Sequence, residues 1–243
     1  MTKFKSSKLN GESLLGGHHE VSRYQERWGM TIEGYLNWFF SEKSIVQSVS
    51  WRGTPTRKVI TDLWMYQEIL TRCRPDVIVE IGCFYGGSSL YLADLCELMQ
   101  HGRVISIDLS HENFKVNHPR VHKITGNSSD TATVEALLPL IDGKQVMVIH
   151  DGSHEYGQVL EDLTIYGKFV SSGQYLIVED GIVDLFADSP KSYGRKWRKK
   201  YPSGGPLRSI DDFLRSNQVN FSVDENCERF LLTNSPRGYL LRH

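Results

Sequence analysis

The sequence predicts a Rossmann-like, doubly wound α/β fold, and three observations carry that prediction. Short, almost wholly apolar runs recur at residues 77–81, 104–107, 146–149 and 175–178. Between them lie stretches with helical spacing at 88–99, 131–140 and 156–169. A strand covered on both faces needs apolar residues at every position, so this alternation predicts a mostly parallel sheet between two helical layers. Third, a chain of 243 residues, 40% of them hydrophobic, suits one large core better than two small ones.

Taken in order, residues 1–20 are rich in Ser, Lys, Gly and His and are expected to be loosely ordered. Tyr24, Trp28, Ile32, Tyr35, Leu36 and Phe39 then recur at helical spacing. They predict a helical N-terminal cap within 1–57, ahead of a main domain over 58–243. Residues 50–55 read as a turn, and a helix is expected over 58–71 with Pro75 at its exit. A weaker strand is expected at 121–124 and a further helix at 210–215. The chain should close on an antiparallel hairpin of 219–223 and 229–233, separated by Asp224-Glu225-Asn226.

A net charge of −1 gives no reason to expect nucleic acid or an anionic membrane as partner. No apolar run reaches the roughly 18 residues of a membrane span. The start is basic and polar with no apolar stretch behind it, so no secretion signal is read. Cys73, Cys83, Cys96 and Cys227 form no C-x-x-C pair, and a reduced, cytoplasmic protein is expected.

In a doubly wound sheet, ligands bind at the carboxyl ends of the strands. The first such end is Glu80-x-Gly82-x-x-x-Gly86-Gly87-Ser88, where glycines admit a ligand close to the backbone and a helix begins. Its spacing is not the G-x-G-x-x-G of dinucleotide folds and suits the methionine end of S-adenosylmethionine. Asp108, at the second end, is placed to accept both ribose hydroxyls, as it would be for NAD as well. Ser128, in Gly126-Asn127-Ser128-Ser129-Asp130, is a candidate adenine contact, or part of an ordinary helix cap.

The fourth and fifth ends, His150-Asp151-Gly152-Ser153-His154 and Glu179-Asp180-Gly181, would gather Asp151, Glu179 and Asp180 beside the donor. Three carboxylates together repel unless a cation lies among them, and hard oxygen ligands favour Mg²⁺ or Ca²⁺. Such a metal acidifies an acceptor hydroxyl, and His154 is the candidate base. Alternatively each acid is a separate cap or ion-pair partner. The basic run Lys191, Arg195, Lys196, Arg198, Lys199 and Lys200, interleaved with Tyr193, Trp197 and Tyr201, is either a solvated face or a lid over an anionic or glycan acceptor.

With these residues in place, the sequence resembles the cephalosporin hydroxylase-like family of methyltransferases, which includes rhamnosyl O-methyltransferases. The resemblance runs over 51–242. It rests on Leu63-Trp64-Met65-Tyr66-Gln67-Glu68-Ile69-Leu70, the E-x-G-x-x-x-G-G-S loop, residues 102–108, D-x-x-H at 151–154 and residues 174–180. Residues 228–233 and 238–240 belong to it as well.

The resemblance implies a seven-stranded class I methyltransferase sheet with an antiparallel last strand, and S-adenosylmethionine as donor. It also implies a divalent metal at Asp151, Glu179 and Asp180, His154 as base, and a homo-oligomer. An iron oxygenase would need two histidines and a carboxylate around an open iron, and the acid-rich site argues against it. Residues 183–203 depart from the family in being longer and basic. The function expected is O-methylation of a sugar or glycosylated natural product. The rivals are a catechol-type acceptor, an NAD-dependent oxidoreductase and a non-catalytic scaffold that binds the methyl donor.

Overall fold

A computed structural model describes residues 29–41, 43–216 and 220–243. The expectations for 1–20 and for the first turns of the N-terminal helix lie outside the described residues.

Two short helices, α1 (Ile32–Ser41) and α2 (Lys43–Ser48), lead into strands β1 (Ser50–Trp51) and β2 (Thr54–Pro55), then α3 (Ile60–Cys73). The alternating body follows: β3 (Val77–Ile81), α4 (Gly87–Leu98), β4 (Arg103–Asp108), β5 (Val121–Thr125), α5 (Thr131–Ile141), β6 (Val146–His150), α6 (Tyr156–Tyr166) and β7 (Tyr175–Val178). The chain ends with α7 (Ile182–Asp188), α8 (Ser192–Lys200), α9 (Pro206–Ser216), β8 (Phe221–Val223), a 3₁₀ turn (Glu225–Glu228) and β9 (Tyr239–Arg242).

Seven strands form one sheet in the order β5-β4-β3-β6-β7-β9-β8. β3 to β7 run parallel, and β9 is antiparallel to both β7 and β8. The apolar runs behave as the pleat requires. Val77, Val79, Val146, Val148, Leu176 and Val178 face one core layer, covered by α5, α6 and α9. Ile78, Met147, Ile149, Tyr175 and Ile177 face the other, covered by α3 and α4. Every residue of β3, β6 and β7 is buried, so each run satisfies two cores at once.

Two expectations are corrected, and helices appear where no element was expected. Residues 50–55 are more than a turn: Trp51 pairs with Thr54 across Arg52 (φ 49) and Gly53 (φ 81), a two-residue hairpin loop with both φ values positive. The basic stretch after Asp180 folds as α7 and α8. The strand expected at 229–233 does not form, and β9 takes its place beside β8. The apolar Phe230 and Leu231 that suggested a strand are exposed. Next to them, Thr233 Oγ1 and the Asn234 N–H donate to the buried Asp62 carboxylate at 2.7 Å each, which anchors this stretch to α3 as a loop. Tyr239 adds a third bond to Asp62 at 2.8 Å from the start of β9.

Among the described residues, no helix is long and apolar enough to cross a membrane. Leu36 and Phe39 of α1 pack with Val59, Phe186 and Tyr201, so α1 lies against α7 and the end of α8.

Candidate active site

The strand order turns back between β3 and β6, and there the carboxyl ends of β3, β4, β6 and β7 open onto a cavity of about 760 Å³. That volume is ordinary for a small-molecule or cofactor site. Gly82 (φ 83) lines it and lies so close to the end of β6 that a Cβ would land on the carbonyl oxygen of Asp151. The glycine is therefore needed to seat two strand ends together. Its N–H donates to Ile107 at 2.8 Å, and the Asp151 N–H donates to Ile81 at 2.8 Å.

At one end of the cavity stands Asp108. Its Oδ2 accepts the backbone N–H groups of Cys83 and Phe84 at 2.9 Å each, so the carboxylate organises the glycine loop. Burial opposes its charge, but these hydrogen bonds prevail and hold the carboxyl below the usual range. Ser128 lines the same end and donates to Asp162 at 2.8 Å. Asp162 is also bonded to His150 at 3.0 Å, which ties this loop to β6.

Gly82, Ser88, Asp108, Ser128 and Asp151 all line the cavity. Glu80, Gly86 and Gly87 are not among its lining residues. Glu80 is fully buried beneath the loop and accepts a hydrogen bond from Ser89 Oγ, and burial raises its carboxyl. Gly86 is needed because the Phe114 ring lies against it, and Gly87 because the Pro55 carbonyl does.

At the other end the acids meet. Asp151, His154 and Asp180 bring one ligand atom each within 4.8 Å of one another, an arrangement able to hold a metal ion. His154 Nε2 and Asp180 Oδ2 are hydrogen-bonded, and Asn234 Nδ2 donates to Asp180 Oδ1 at 2.5 Å. Asp180 adopts φ 61, a strained backbone for a non-glycine residue. Glu179 is outside that trio but shares Lys58 with Asp151. Its Oε1 accepts from Lys58 Nζ and from Tyr66 Oη at 2.5 Å each, while its Oε2 is buried with no hydrogen-bond partner.

Lys58 also pairs with Asp151, with its own side chain 2% exposed. Burial opposes its charge, but Asp151 and Glu179 outweigh that and push the ammonium far above its usual range. It therefore stays protonated and cannot act as a base. Burial raises Asp151 to about 6 against the pull of Lys58. Burial and the neighbouring Asp151 raise Glu179 to about 7.

Lys58, Tyr66 and Asn234 escaped the sequence reading. The acid-rich strand ends signalled that a compensating cation was needed. Nothing local marked Lys58 as that cation, since it lies 93 residues from Asp151 and 121 from Glu179.

The basic helix α8 exposes Arg195, Lys196, Lys199 and Lys200, and packs Trp197 toward Phe186. Trp197 stacks on Tyr201 at 5.9 Å, and Tyr201 meets the His154 ring edge-on at 6.1 Å. The end of α8 thus borders the acid cluster while its charges face outward.

Burial disfavours the charged form of His154, but Asp180 outweighs it and raises the imidazole to about 9. Burial is likewise outweighed at Asp180, which His154 holds down to about 2. In the metal-free protein, NMR titration of the His154 ring is therefore expected to show the imidazolium persisting through neutral pH, with its midpoint near 9. Asp180→Asn removes the stabilising charge and should bring the midpoint to or below about 6.5. A midpoint near 6.5 in the unsubstituted protein contradicts the pairing.

A family model described as "Rhamnosyl O-methyltransferase/CmcI" matches residues 43–243. The rhamnosyl O-methyltransferase of Mycobacterium leprae is 28% identical over 217 residues, covering 86% of this chain and 90% of that protein. The protein of the same name from Mycobacterium tuberculosis is 27% identical over 219 residues, covering 87% and 84%. Among solved structures, CmcI with magnesium and S-adenosylmethionine is similar with a TM-score of 0.62 at 22% identity, covering 81% of this chain and 77% of that one. An S-adenosylhomocysteine-bound methyltransferase from Podospora anserina gives 0.50 at 15%, covering 87% and 93%.

Proposed function

The chain belongs to the rhamnosyl O-methyltransferase/CmcI family, and from that premise we propose that it moves the methyl group of S-adenosylmethionine to a hydroxyl of a sugar or glycosylated small molecule, aided by a divalent cation, Mg²⁺ by preference. One observation carries this reading. A single cavity joins a glycine loop and the ribose-type acid Asp108 to the cluster of Asp151, His154 and Asp180. Assembly as a homo-oligomer and action in the cytoplasm belong to the same proposal.

The residues fit both groups. Asp151 and Asp180 offer hard oxygen donors, and the unpartnered Oε2 of Glu179 is a third within the same cavity lining. When bound, S-adenosylmethionine supplies an electrophilic methyl group and the cation a positive charge that acidifies a nearby hydroxyl. Asp108, Asn127 and Ser128 line the same cavity; in this reading Asp108 would accept the ribose hydroxyls, and Asn127 and Ser128 would meet the adenine edge. Gly82 seats the loop against the end of β6, and Asn234 fixes Asp180, which in turn orients the His154 ring. His154 takes the acceptor's proton in its neutral form, the minority species at neutral pH in the metal-free protein. Holding acceptor and donor in one cavity supplies the orientation that makes the transfer effectively unimolecular.

The test is a transfer assay with methyl-labelled donor against rhamnosides, other glycosides and catechols. Label recovered on a sugar oxygen is the expected result. Label on catechols alone would overturn the sugar assignment, and NADH binding without donor binding would overturn the transferase.

A further inference from the structure

The cavity wall is rich in acids: Asp108, Asp151, Glu179 and Asp180 all line it. Those groups suit a cationic ligand, and the amino-acid end of the proposed donor carries an ammonium beside a sulfonium. It also carries a carboxylate, which that wall would repel. Among the described residues, Arg57 is the one arginine or lysine that lines the cavity.

Its guanidinium carbon lies 4.6 Å from the centre of the Phe84 ring and 5.2 Å from that of Tyr85, the two residues at the middle of the glycine loop. Stacking occupies the faces of a guanidinium and leaves its in-plane N–H groups for other partners. No carboxylate among the described residues is paired with Arg57. The neighbouring cations are engaged: Arg52 holds Asp94 at 2.8 Å, and Lys58 holds Asp151 and Glu179.

The backbone supports a dedicated placement. Arg57 has φ 55 and Phe84 has φ 44, both in the left-handed region that non-glycine residues rarely adopt. Strain of this kind is kept where the surrounding structure needs a particular side-chain position. Here it brings cation and rings together in the lining of the cavity.

We infer that Arg57 is the receptor for the carboxylate of the donor's amino-acid end, gripping it through its in-plane N–H groups while Phe84 and Tyr85 hold its face. The inference rests on S-adenosylmethionine as donor. It makes Arg57 the residue that distinguishes the intact donor from one lacking that carboxylate.

The experiment compares calorimetric binding of S-adenosylmethionine and decarboxylated S-adenosylmethionine to the full chain and to its Arg57→Met and Arg57→Lys variants. The unsubstituted protein should prefer the intact donor by about 10- to 100-fold, the scale of a hydrogen-bonded charge pair. Arg57→Met should lose that preference by weakening the intact donor alone, and Arg57→Lys should keep part of it. Equal weakening of both ligands by Arg57→Met would mean a damaged loop and overturn the assignment. Unchanged binding of the intact donor, or an effect confined to the acceptor's KM, would overturn it too. If the unsubstituted protein binds neither ligand, the donor reading fails and the inference falls with it. Preserved donor binding with no preference sinks the inference alone.

Discussion

Replacing Asp151 by Ala is expected to lower methyl transfer by about 10³-fold or more, roughly 4 kcal/mol in the barrier, while S-adenosylhomocysteine binds within a few-fold of its normal affinity. Asp151 sits where three functions meet. Its carboxylate belongs to the cluster with His154 and Asp180, it pairs with Lys58, and its backbone N–H closes the β6 end onto Ile81. The substitution removes the first two and leaves the third. A charged group that assists catalysis in a partly closed site is commonly worth several kcal/mol. The contacts proposed to hold the nucleoside, at Asp108 and Ser128, lie on other strand ends and are untouched. Kinetics with saturating labelled donor, alongside calorimetry with S-adenosylhomocysteine, separate the two effects. A variant that transfers methyl at the normal rate removes Asp151 from the chemistry. A variant that no longer binds the product shows instead that the cavity has collapsed.

Lys58→Ala should produce the largest loss of stability of any single change at the site, about 3–5 kcal/mol in urea unfolding at neutral pH. The ammonium is buried between Asp151 and Glu179, and Glu179 itself is 1% exposed. Removing the cation strands a carboxylate whose remaining hydrogen-bond partner among the described residues is the Tyr66 hydroxyl. The sign of the pH dependence follows from Glu179. Burial and Asp151 already raise its folded value to about 7, above its ordinary range, and loss of Lys58 raises it further. A carboxyl raised on folding is neutral in both states at low pH. It weakens the fold as pH climbs past its unfolded value of about 4.3. The deficit of the variant should therefore be widest above pH 7 and narrow toward pH 5. A deficit below about 1 kcal/mol at neutral pH, or one that widens on acidification, contradicts this account of Lys58.

How far the sequence could be read depended on whether the responsible partners were close in the chain. The strands of the sheet were legible because burial on both faces leaves an apolar run that no other element needs at that length. That Gly82, Asp108 and the acids at 151 and 179–180 would meet at one cavity was legible because strand ends converge in this fold. What stayed hidden was cross-chain. Lys58 reads as a surface lysine at a helix start until β6 and β7 are placed beside it. Thr233 read as the end of a strand, because the partner that holds it and Asn234 in a loop is Asp62, 171 and 172 residues away. The packing role of two glycines was hidden in the same way: a side chain at Gly86 would meet Phe114 and one at Gly87 would meet Pro55. The residues at positive φ, Arg57 and Asp180 among them, carry no local signature at all.

The central claim is that one cavity holds the methyl donor and a divalent cation and joins them in transfer to a sugar oxygen. It is tested most directly by a single-turnover reaction with labelled donor and a rhamnoside acceptor, run with Mg²⁺ and again with excess chelator. The account predicts label on the sugar with Mg²⁺ and a fall of about 10³-fold or more in the chelated reaction. Equal transfer in both reactions would contradict it.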